Sequence, residues 1–298
     1  MMKHLLLTLL AVASLAATAQ QVTVLEQRRL LQGVEAPAFF PVLDATGGWL
    51  LFSDADACGL KLYDFANDVV TRISREPGAG FDAFFGGDGR VYYVTQQPNE
   101  HNLVFRTGHA YDVAHASDAV VLEPQHGAVH PVKMMGGAAL KGESHSFRSP
   151  ASTPIGVYTQ GSTVVICRNG REQAYTPVPS HAGYLWASLS PDATRVAFFA
   201  AERGICIIDL NGRLLAELGN YEMPSWLNDH YLVAQHATDD GHQFTSSQIM
   251  LLKDDGSWRH ALTPPTSMTM QPTAAAGKLV YTTIDGNLHL MRLQIVEP

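Results

Sequence analysis

The chain has 298 residues, of which 46% are hydrophobic, and its formal net charge at neutral pH is -8. This length allows one large β domain or two smaller domains, so length alone does not decide the domain count. The acidic balance, without any basic stripe, argues against nucleic acid or an anionic membrane surface as a partner.

The first residues have the three parts of a secretory signal peptide. Lys3 supplies a positive charge, residues 5–15 form a short apolar segment, and Ala17-Thr18-Ala19 is a small-x-small cleavage site. The apolar segment is too short for a retained anchor, and no later segment reaches ~18 apolar residues. We therefore expect residues 1–19 to be removed and the mature chain, from residue 20, to be a soluble periplasmic or secreted protein.

The cysteines and one pair of histidines are the candidates for metal binding or a disulfide. Cys58, Cys167 and Cys206 match no metal-binding spacing, and we expect them to be small buried hydrophobic residues, with one disulfide as the alternative. His126 and His130 flank a predicted β-turn, which favours neighbouring strands over shared ligation. The sequence predicts neither a metal nor a cofactor.

One motif, a turn followed by a short apolar strand, recurs along the chain. At Ser190-Pro191-Asp192 a turn signal leads directly into the apolar run 196–199. With an offset of 41 positions this motif aligns with residues 149–158, so that Ser190-Pro191 aligns with Ser149-Pro150. Looser copies occupy residues 44–52, 86–94, 228–234 and 275–282, which makes six copies in all.

A second landmark, an apolar run that ends in a turn, follows the copies downstream. The turns that we assign are Asn67-Asp68, His126-Gly127, Asn169-Gly170, Asn211-Gly212 and Asp255-Gly256. No helical periodicity competes with this pattern. A unit of about 40 to 45 residues with four short strands has the length of a propeller blade.

The sequence therefore predicts an all-β protein, a six-bladed β-propeller of four-stranded blades that fills residues 20–298 as a single domain. The sixth unit ends before its fourth strand. Residues 21–31 are rich in β-forming residues and belong to no unit, so we expect them to close the last blade. The alternative is a seven-bladed ring in which residues 103–106 start an extra blade.

Four of these features resemble the WD40-like (PD40) repeat of TolB-type propellers: the Ser190-Pro191-Asp192 turn, the run 205–209, the Asn211-Gly212 turn and Ala261-Leu262-Thr263. The resemblance extends over nearly all of the mature chain and implies the fold, but no particular function. Ala193 stands where the family usually has Gly. We expect no counterpart of the α/β domain that precedes the propeller in TolB, so TolB's docking of a peptidoglycan-associated lipoprotein does not carry over.

Catalytic motifs are weak in this sequence. The string 142–146 resembles a hydrolase nucleophile elbow but ends in Ser146, where the turn needs Gly. The string 252–258 differs from a sialidase Asp box, and we interpret it as a turn of blade five. A glycoside hydrolase or polysaccharide lyase with its site in the channel mouth remains the alternative function, because blades bring distant carboxylates together.

Two connections between strands B and C are longer than the others, residues 96–117 in blade two and 237–247 in blade five. Both should emerge on one face, on opposite sides of the channel, and outsized loops are often functional. The alternative is a pair of solvated flaps. We therefore predict a monomeric, non-catalytic propeller that recognises a protein, peptide or glycan on this face. The candidate binding residues, in which the two tryptophans have core packing as their alternative, are His101, Arg106, His109, Tyr111, Asp112, His115, His236, Asp239, Asp240, His242, Trp186 and Trp226.

Overall fold

The computed structural model describes residues 21–31, 37–134, 137–142, 155–168 and 171–297. The predicted signal peptide, the Ser149-Pro150 motif and the Asn169-Gly170 turn lie outside these ranges. In the described part of the chain there are six antiparallel sheets and no α-helix, only the 3-10 turns Ala55–Ala57 and Pro265–Ser267. No helix of this part is long and apolar enough to cross a membrane. The predicted all-β fold with six blades is confirmed.

Blades one and two follow the closing strand along the chain. The first strand, β1 (Gln21–Arg29), belongs to the last blade. Blade one consists of β2 (Phe39–Leu43), β3 (Trp49–Ser53), β4 (Leu60–Asp64) and β5 (Val69–Ser74). Blade two consists of β6 (Phe84–Phe85), β7 (Arg90–Pro98), β8 (Val104–Asp112) and β9 (Ser117–His126). In both blades strands A to D pair in sequence order.

Blades three to six complete the ring. Blade three consists of β10 (Val129–Met134), β11 (Gly137–Gly142), β12 (Gly156–Gln160), β13 (Thr163–Arg168) and β14 (Arg171–Tyr175). Blade four consists of β15 (Tyr184–Leu189), β16 (Arg195–Ala200), β17 (Gly204–Asp209) and β18 (Leu214–Gly219). Blade five consists of β19 (Glu222–Trp226), β20 (Tyr231–Asp239), β21 (Phe244–Lys253) and β22 (Arg259–Ala261). Blade six consists of β23 (Thr269–Ala275), β24 (Lys278–Thr283), β25 (Leu288–Val296) and β1.

The N-terminal strand closes the ring as predicted. Strand β1 pairs antiparallel with β25, from Gln21 opposite Val296 to Arg29 opposite His289. The junction between blades six and one is also hydrogen-bonded, because the amide of Leu43 donates to Oγ1 of Thr273 at 3.0 Å. The alternative of a seventh blade is wrong, since residues 104–112 are strand C of blade two.

The recurring turn is held by its own polar side chains. Ser190 donates from Oγ to Oδ1 of Asp192 at 2.6 Å, and the amide of Thr194 donates to the same oxygen at 3.1 Å. Ala193 has a φ of 55°, in the left-handed region that favours glycine. This explains why the related repeats usually carry Gly at this position.

The cores lie between neighbouring blades. Val157 and Ile166 of blade three, for example, pack against Phe198 and Cys206 of blade four. Cys167 is also buried, whereas Cys58 is exposed, so the expectation that all three cysteines are buried is wrong for Cys58. Cys58 directly follows a 3-10 turn in the loop between β3 and β4. None of the three forms a disulfide.

Blade three has a fifth strand that the repeat pattern does not predict. Strands β10 and β11 form a hairpin, and β11 lies at the sheet end beyond β10. Leu140 of β11 packs against the cluster of Phe84, Tyr92 and Ala110 in blade two. The next residue, Lys141, contacts Tyr158 of blade three. The hairpin therefore packs between two blades.

Candidate functional site

The long B-to-C connections of blades two and five are regular hairpins, not irregular loops. In blade two β7 and β8 are nine residues each and remain paired out to Pro98 and Val104. In blade five β20 and β21 remain paired out to Asp239 and Phe244. We call the propeller face that carries the B-to-C turns and the D-to-A connections the hairpin face.

The turn at each hairpin tip is closed by an Asx side chain. In blade two Oδ1 of Asn99 accepts from the amides of His101 and Leu103, each at 2.9 Å. In blade five Oδ1 of Asp240 accepts from the amides of His242 and Gln243 at 2.9 and 3.0 Å. In the sequence, Asn99 and Asp240 are the residues that indicate the turns of these hairpins.

The predicted extent of the blade-two connection, residues 96–117, is wrong. The segment contains all of β8 and the turn to β9, and His126-Gly127 ends β9 instead of forming that turn. Tyr111 is buried in the core between blades one and two. Asp112 and His115 lie at the opposite face, where their Oδ2 and Nδ1 atoms are 3.0 Å apart. Hydrogen bonds from the His115 side chain and backbone lower the pKa of Asp112.

The charged candidates at the two tips are exposed. His101 lies beside Glu100, with Nε2 and Oε1 3.4 Å apart. At the blade-five tip the candidates are Asp239, Asp240 and His242, and the amides of Gln243 and His242 lower the pKa of Asp240. The two tips stand on opposite sides of the ring, since blades two and five are three positions apart in a ring of six.

Two other candidates hold the hairpins in place. Arg106 is half-buried and donates from Nη1 to the carbonyl oxygen of Gly127 at 3.0 Å. His236 is also half-buried, with its ring centroid 5.3 Å from that of Tyr221 and its Nδ1 3.2 Å from Nε2 of Gln248. The contacts of Arg106 with Gly127 and of His236 with Tyr221 link the hairpins to the neighbouring D-to-A connections.

The two tryptophans differ in environment. Trp226 is buried in the core between blades four and five and donates from Nε1 to the carbonyl oxygen of Ser188 at 3.3 Å, so it is a packing residue. Trp186 is half-buried, has a φ of 55°, and packs against Phe199 with ring centroids 5.3 Å apart. It lies near the start of strand A, at the hairpin-face end.

Trp186 belongs to a set of equivalent positions that sequence analysis missed. Each strand A, or the residues just before it, carries one residue followed by Pro or Ala, and five of the six residues have φ near 55°. A β-bulge accompanies this position in blades one, four, five and six. The positions are Phe40, Asp82, His130, Trp186, Met223 and Gln271. The recurring X-Pro and X-Ala dipeptides were the available signal.

Side-chain amides link these bulges around the ring. Oε1 of Gln271 accepts from the amide of Phe40 at 2.8 Å, and Oε1 of Gln235 accepts from the amide of Gln271 at 3.0 Å. Blades five, six and one are thereby joined at the mouth of the channel. Nearby, burial raises the pKa of Glu222, and the carboxylate of Asp239 raises it further.

Large exposed hydrophobic residues are more numerous at the turns and strand ends of the hairpin face than at those of the opposite face. Five of them, between 45% and 53% exposed, lie at turns or strand ends of the hairpin face: Phe81, Leu103, Leu185, Phe244 and Ile284. Turns of the opposite face are instead built on polar caps. Asp44 accepts from the amide of Trp49 at 2.7 Å, and Asp209 accepts from the amide of Asn211 at 2.8 Å. Among the described residues with the same degree of exposure, the opposite face carries Val69 and Val296 at its strand ends, and neither is aromatic.

His109 lies apart from the tips, in a polar cleft of about 500 Å³ between blades one and two. Its Nδ1 is 2.9 Å from Oδ2 of Asp118, and its Nε2 is 3.1 Å from Oγ1 of Thr95. Its ring is stacked on that of Tyr93 at 4.8 Å between centroids. Sequence analysis named His109 but missed Thr95 and Asp118. In the part of the chain that the structure covers, no three His, Cys, Asp or Glu side chains could share a metal ion.

The fold is similar to that of solved propellers, although no protein-family model and no curated protein matches the chain. TolB from Acinetobacter baumannii is 15% identical with a TM-score of 0.52, over 75% of this chain and 53% of TolB. An inactive variant of virginiamycin B lyase from Staphylococcus aureus, solved with quinupristin, is 11% identical with a TM-score of 0.58, over 92% and 99%. The WD40 repeats of RRP9 are 8% identical with a TM-score of 0.56, over 92% and 100%.

The chain therefore spans about half the length of the TolB structure that it matches. At these identities the similarity establishes the fold alone, a TolB-like and WD40-like propeller.

Proposed function

We propose that this protein is an exported binding propeller that recognises a protein or peptide on its hairpin face. The observation that carries the proposal is the set of exposed hydrophobic residues on this face, among them Phe81, Leu103 and Phe244. Single exposed apolar residues are common on proteins, but these five are distributed around the face that carries the two longest hairpins, where one partner could contact several of them. The charged tips around His101 and Asp240 supply the polar rim that such interfaces usually have.

The rigidity of the face supports the same function. The two hairpins are paired strands anchored by Arg106 and His236, so they would lose little conformational entropy when a partner binds. Apolar residues occupy three of the equivalent positions at the hairpin-face end of strand A, namely Phe40, Trp186 and Met223. An extended peptide that crosses the mouth would meet apolar side chains along its middle and polar groups at both ends.

The glycan-active enzyme is the weaker alternative at this face. A glycoside hydrolase, one of the two enzyme classes in this alternative, typically uses two carboxylates around one scissile bond. Of the six mouth positions only Asp82 is acidic, and Glu222 with Asp239 lies toward the blade-five side. The balance of side chains favours binding over glycoside cleavage.

The place of action that we propose is the periplasm or the exterior of the cell. The proposal rests on the signal-peptide pattern of residues 1–19, with the propeller as the single mature domain. The structural similarity to TolB also supports this proposed location. Edman sequencing of the protein recovered from the cell envelope should begin at Gln20, and an intact Met1 would contradict export.

A random-peptide display selection on the purified protein tests the binding function. We expect selected peptides to bind the wild-type protein and to lose at least ten-fold in affinity for Leu103→Asp and Phe244→Asp. The matched control is Leu215→Asp, which places the same charge on an exposed residue of the outer strand β18. Peptides that bind all three variants equally, or a selection that yields none, would contradict the proposal.

A further inference from the structure

The cleft between blades one and two lies beside the apolar core that these blades share. That core includes Tyr93 and Tyr111, whereas the neighbouring space at His109 is open and polar. Its volume of about 500 Å³ lies within the range of small-ligand pockets. Blade one contributes Ser74, Arg75 and Glu76, and blade two contributes the stacked His109 with its two partners.

Blade six provides an internal comparison for this arrangement. The rings of Tyr281 and His289 are stacked with their centroids 5.4 Å apart, and the two residues form the fourth pair of the β24–β25 ladder. Tyr93 and His109 are likewise the fourth pair of the β7–β8 ladder. Both tyrosines pack in apolar clusters between blades, Tyr281 with Ile249 and Tyr93 with Leu62. The Tyr–His stack is therefore compatible with ordinary packing and does not by itself create a cleft.

The strand D residue beside each stack is the main difference between the two blades. In blade two Asp118 pairs with Tyr111, and in blade six the equivalent residue is Gln27. Gln27 donates from Nε2 to the Tyr281 hydroxyl at 3.3 Å, so blade six has a neutral amide there. Blade two instead has a carboxylate, and this carboxylate faces an open cleft.

Hydrogen bonds fix the orientation of the His109 ring. In a neutral imidazole, Nδ1–H donates to Asp118 and Nε2 accepts the hydroxyl proton of Thr95. The opposite wall is also ordered, because Nε2 of Gln97 donates to Oε2 of Glu76 at 3.3 Å. The cleft is therefore organised before any ligand arrives.

The lining groups define the kind of ligand. Donors, namely the Arg75 guanidinium and the Gln97 amide, alternate with the acceptor carboxylates of Glu76 and Asp118. The carboxylates disfavour an anion and Arg75 disfavours a cation. A hydroxyl group both donates and accepts hydrogen bonds, so several neighbouring hydroxyls on one ligand would match this mixture. We infer that the cleft binds a neutral saccharide unit. The site borders the hairpin face at Arg75 and Glu76 but includes none of the exposed hydrophobic residues of that face, and it does not depend on the function proposed for them.

Saturation-transfer-difference NMR tests this inference with cellobiose, lactose and N,N′-diacetylchitobiose as the probes. We expect magnetisation transfer from the wild-type protein to at least one of them. Asp118→Asn, which supplies the amide character of blade six, should weaken that binding at least ten-fold. The matched control His289→Gln alters the equivalent stack in blade six and should bind as the wild type does.

Two results would overturn the inference: no transfer to any of the three sugars, or equal transfer from the wild type and Asp118→Asn. If the hydrogen bonds of His109 with Asp118 and Thr95 serve only the stability of the protein, one of these two results is expected. In that case Asp118→Asn lowers the melting temperature without affecting sugar binding. Leu103→Asp, which impairs the hairpin face, should leave sugar binding unchanged, so failure of one site is distinguishable from failure of the other.

Discussion

The Nζ atom of Lys141 lies 2.5 Å from the hydroxyl oxygen of Tyr158 and 4.8 Å from the centroid of its ring. Glu172 completes the group, because its carboxylate accepts from Lys141 at 3.4 Å and from Tyr158 at 3.0 Å. Burial and the Glu172 carboxylate raise the pKa of Tyr158, which therefore stays protonated and donates. Lys141 is only 9% exposed, so these partners take the place of water around its ammonium group. The cluster fixes β11 to blade three.

Glu172→Gln should therefore destabilise the protein. Removing one partner of a buried ion pair costs about 3–5 kcal/mol, and the partial exposure of Glu172 reduces the expected loss to about 1–3 kcal/mol. Chemical denaturation measures this difference. The control is Glu217→Gln, whose partner Arg203 lies 3.4 Å away at the surface, and it should cost less than about 0.5 kcal/mol. Equal losses in the two variants would contradict the role given to Lys141.

Removal of the closing strand should destabilise the whole ring. A chain that starts at Leu30 lacks β1, and the ladder that it forms with β25 contributes on the order of 4 kcal/mol at about 0.5–1 kcal/mol per hydrogen bond. The exposed edge of β25 should also promote aggregation. A chain that starts at Gln21 is the control. If the two chains unfold at the same denaturant concentration, β1 does not close the propeller in solution.

The stability of the propeller should fall between pH 8 and pH 6 because of His289. Burial lowers the pKa of His289 in the folded protein, and the charge of Arg29 lowers it further. The unfolded chain, with a histidine pKa of about 6.5, therefore binds more protons in this range, and acid favours unfolding. His289→Gln should reduce the pH dependence of the unfolding midpoint, whereas His242→Gln at an exposed tip should not. An unchanged slope in His289→Gln would refute this assignment.

The cysteines should differ in reactivity. Burial raises the pKa of the Cys206 thiol to about 12, and burial with Glu172 nearby raises that of Cys167 to about 12. Both thiols should therefore resist alkylation in the folded protein, while exposed Cys58 reacts. Mass spectrometry after iodoacetamide treatment should find one adduct before denaturation and three after it. Cys58→Ser should give none and then two, and a count of two for the native wild type would place a second thiol at the surface.

The blade count could be predicted because its signals are local. The Ser190-Pro191-Asp192 turn closes with its own side chains, and a unit that needs this turn repeats it in the sequence. The turn between β8 and β9 was not predicted because its left-handed position lacks a typical turn residue. Ala116 adopts a φ of 50° there, where Gly or Asn would have signalled a turn. The sequence pattern therefore indicated His126-Gly127 as the turn. As a result, Tyr111, Asp112 and His115 were assigned to the B-to-C connection.

The candidate sites were less predictable because they depend on register and on neighbouring blades. Thr95 and Asp118 meet His109 only through strand pairing, and Glu76 joins them from another blade. The shared face of Leu103 and Phe244, in contrast, was predicted, because it follows from the strand order within the repeat. Contacts between blades follow from the closed ring and cannot be predicted from spacing within one unit.

Site-specific photo-crosslinking in the cells that produce the protein tests the central claim most directly. A benzophenone amino acid replaces Leu103 or Phe244 on the hairpin face, and Val121 or Leu215 on the outer strands, which are equally exposed apolar positions. The account predicts a discrete adduct with one partner from the two hairpin-face positions and none from the outer-strand positions. Adducts that form only from the outer strands, or no adduct from either hairpin tip, would contradict it.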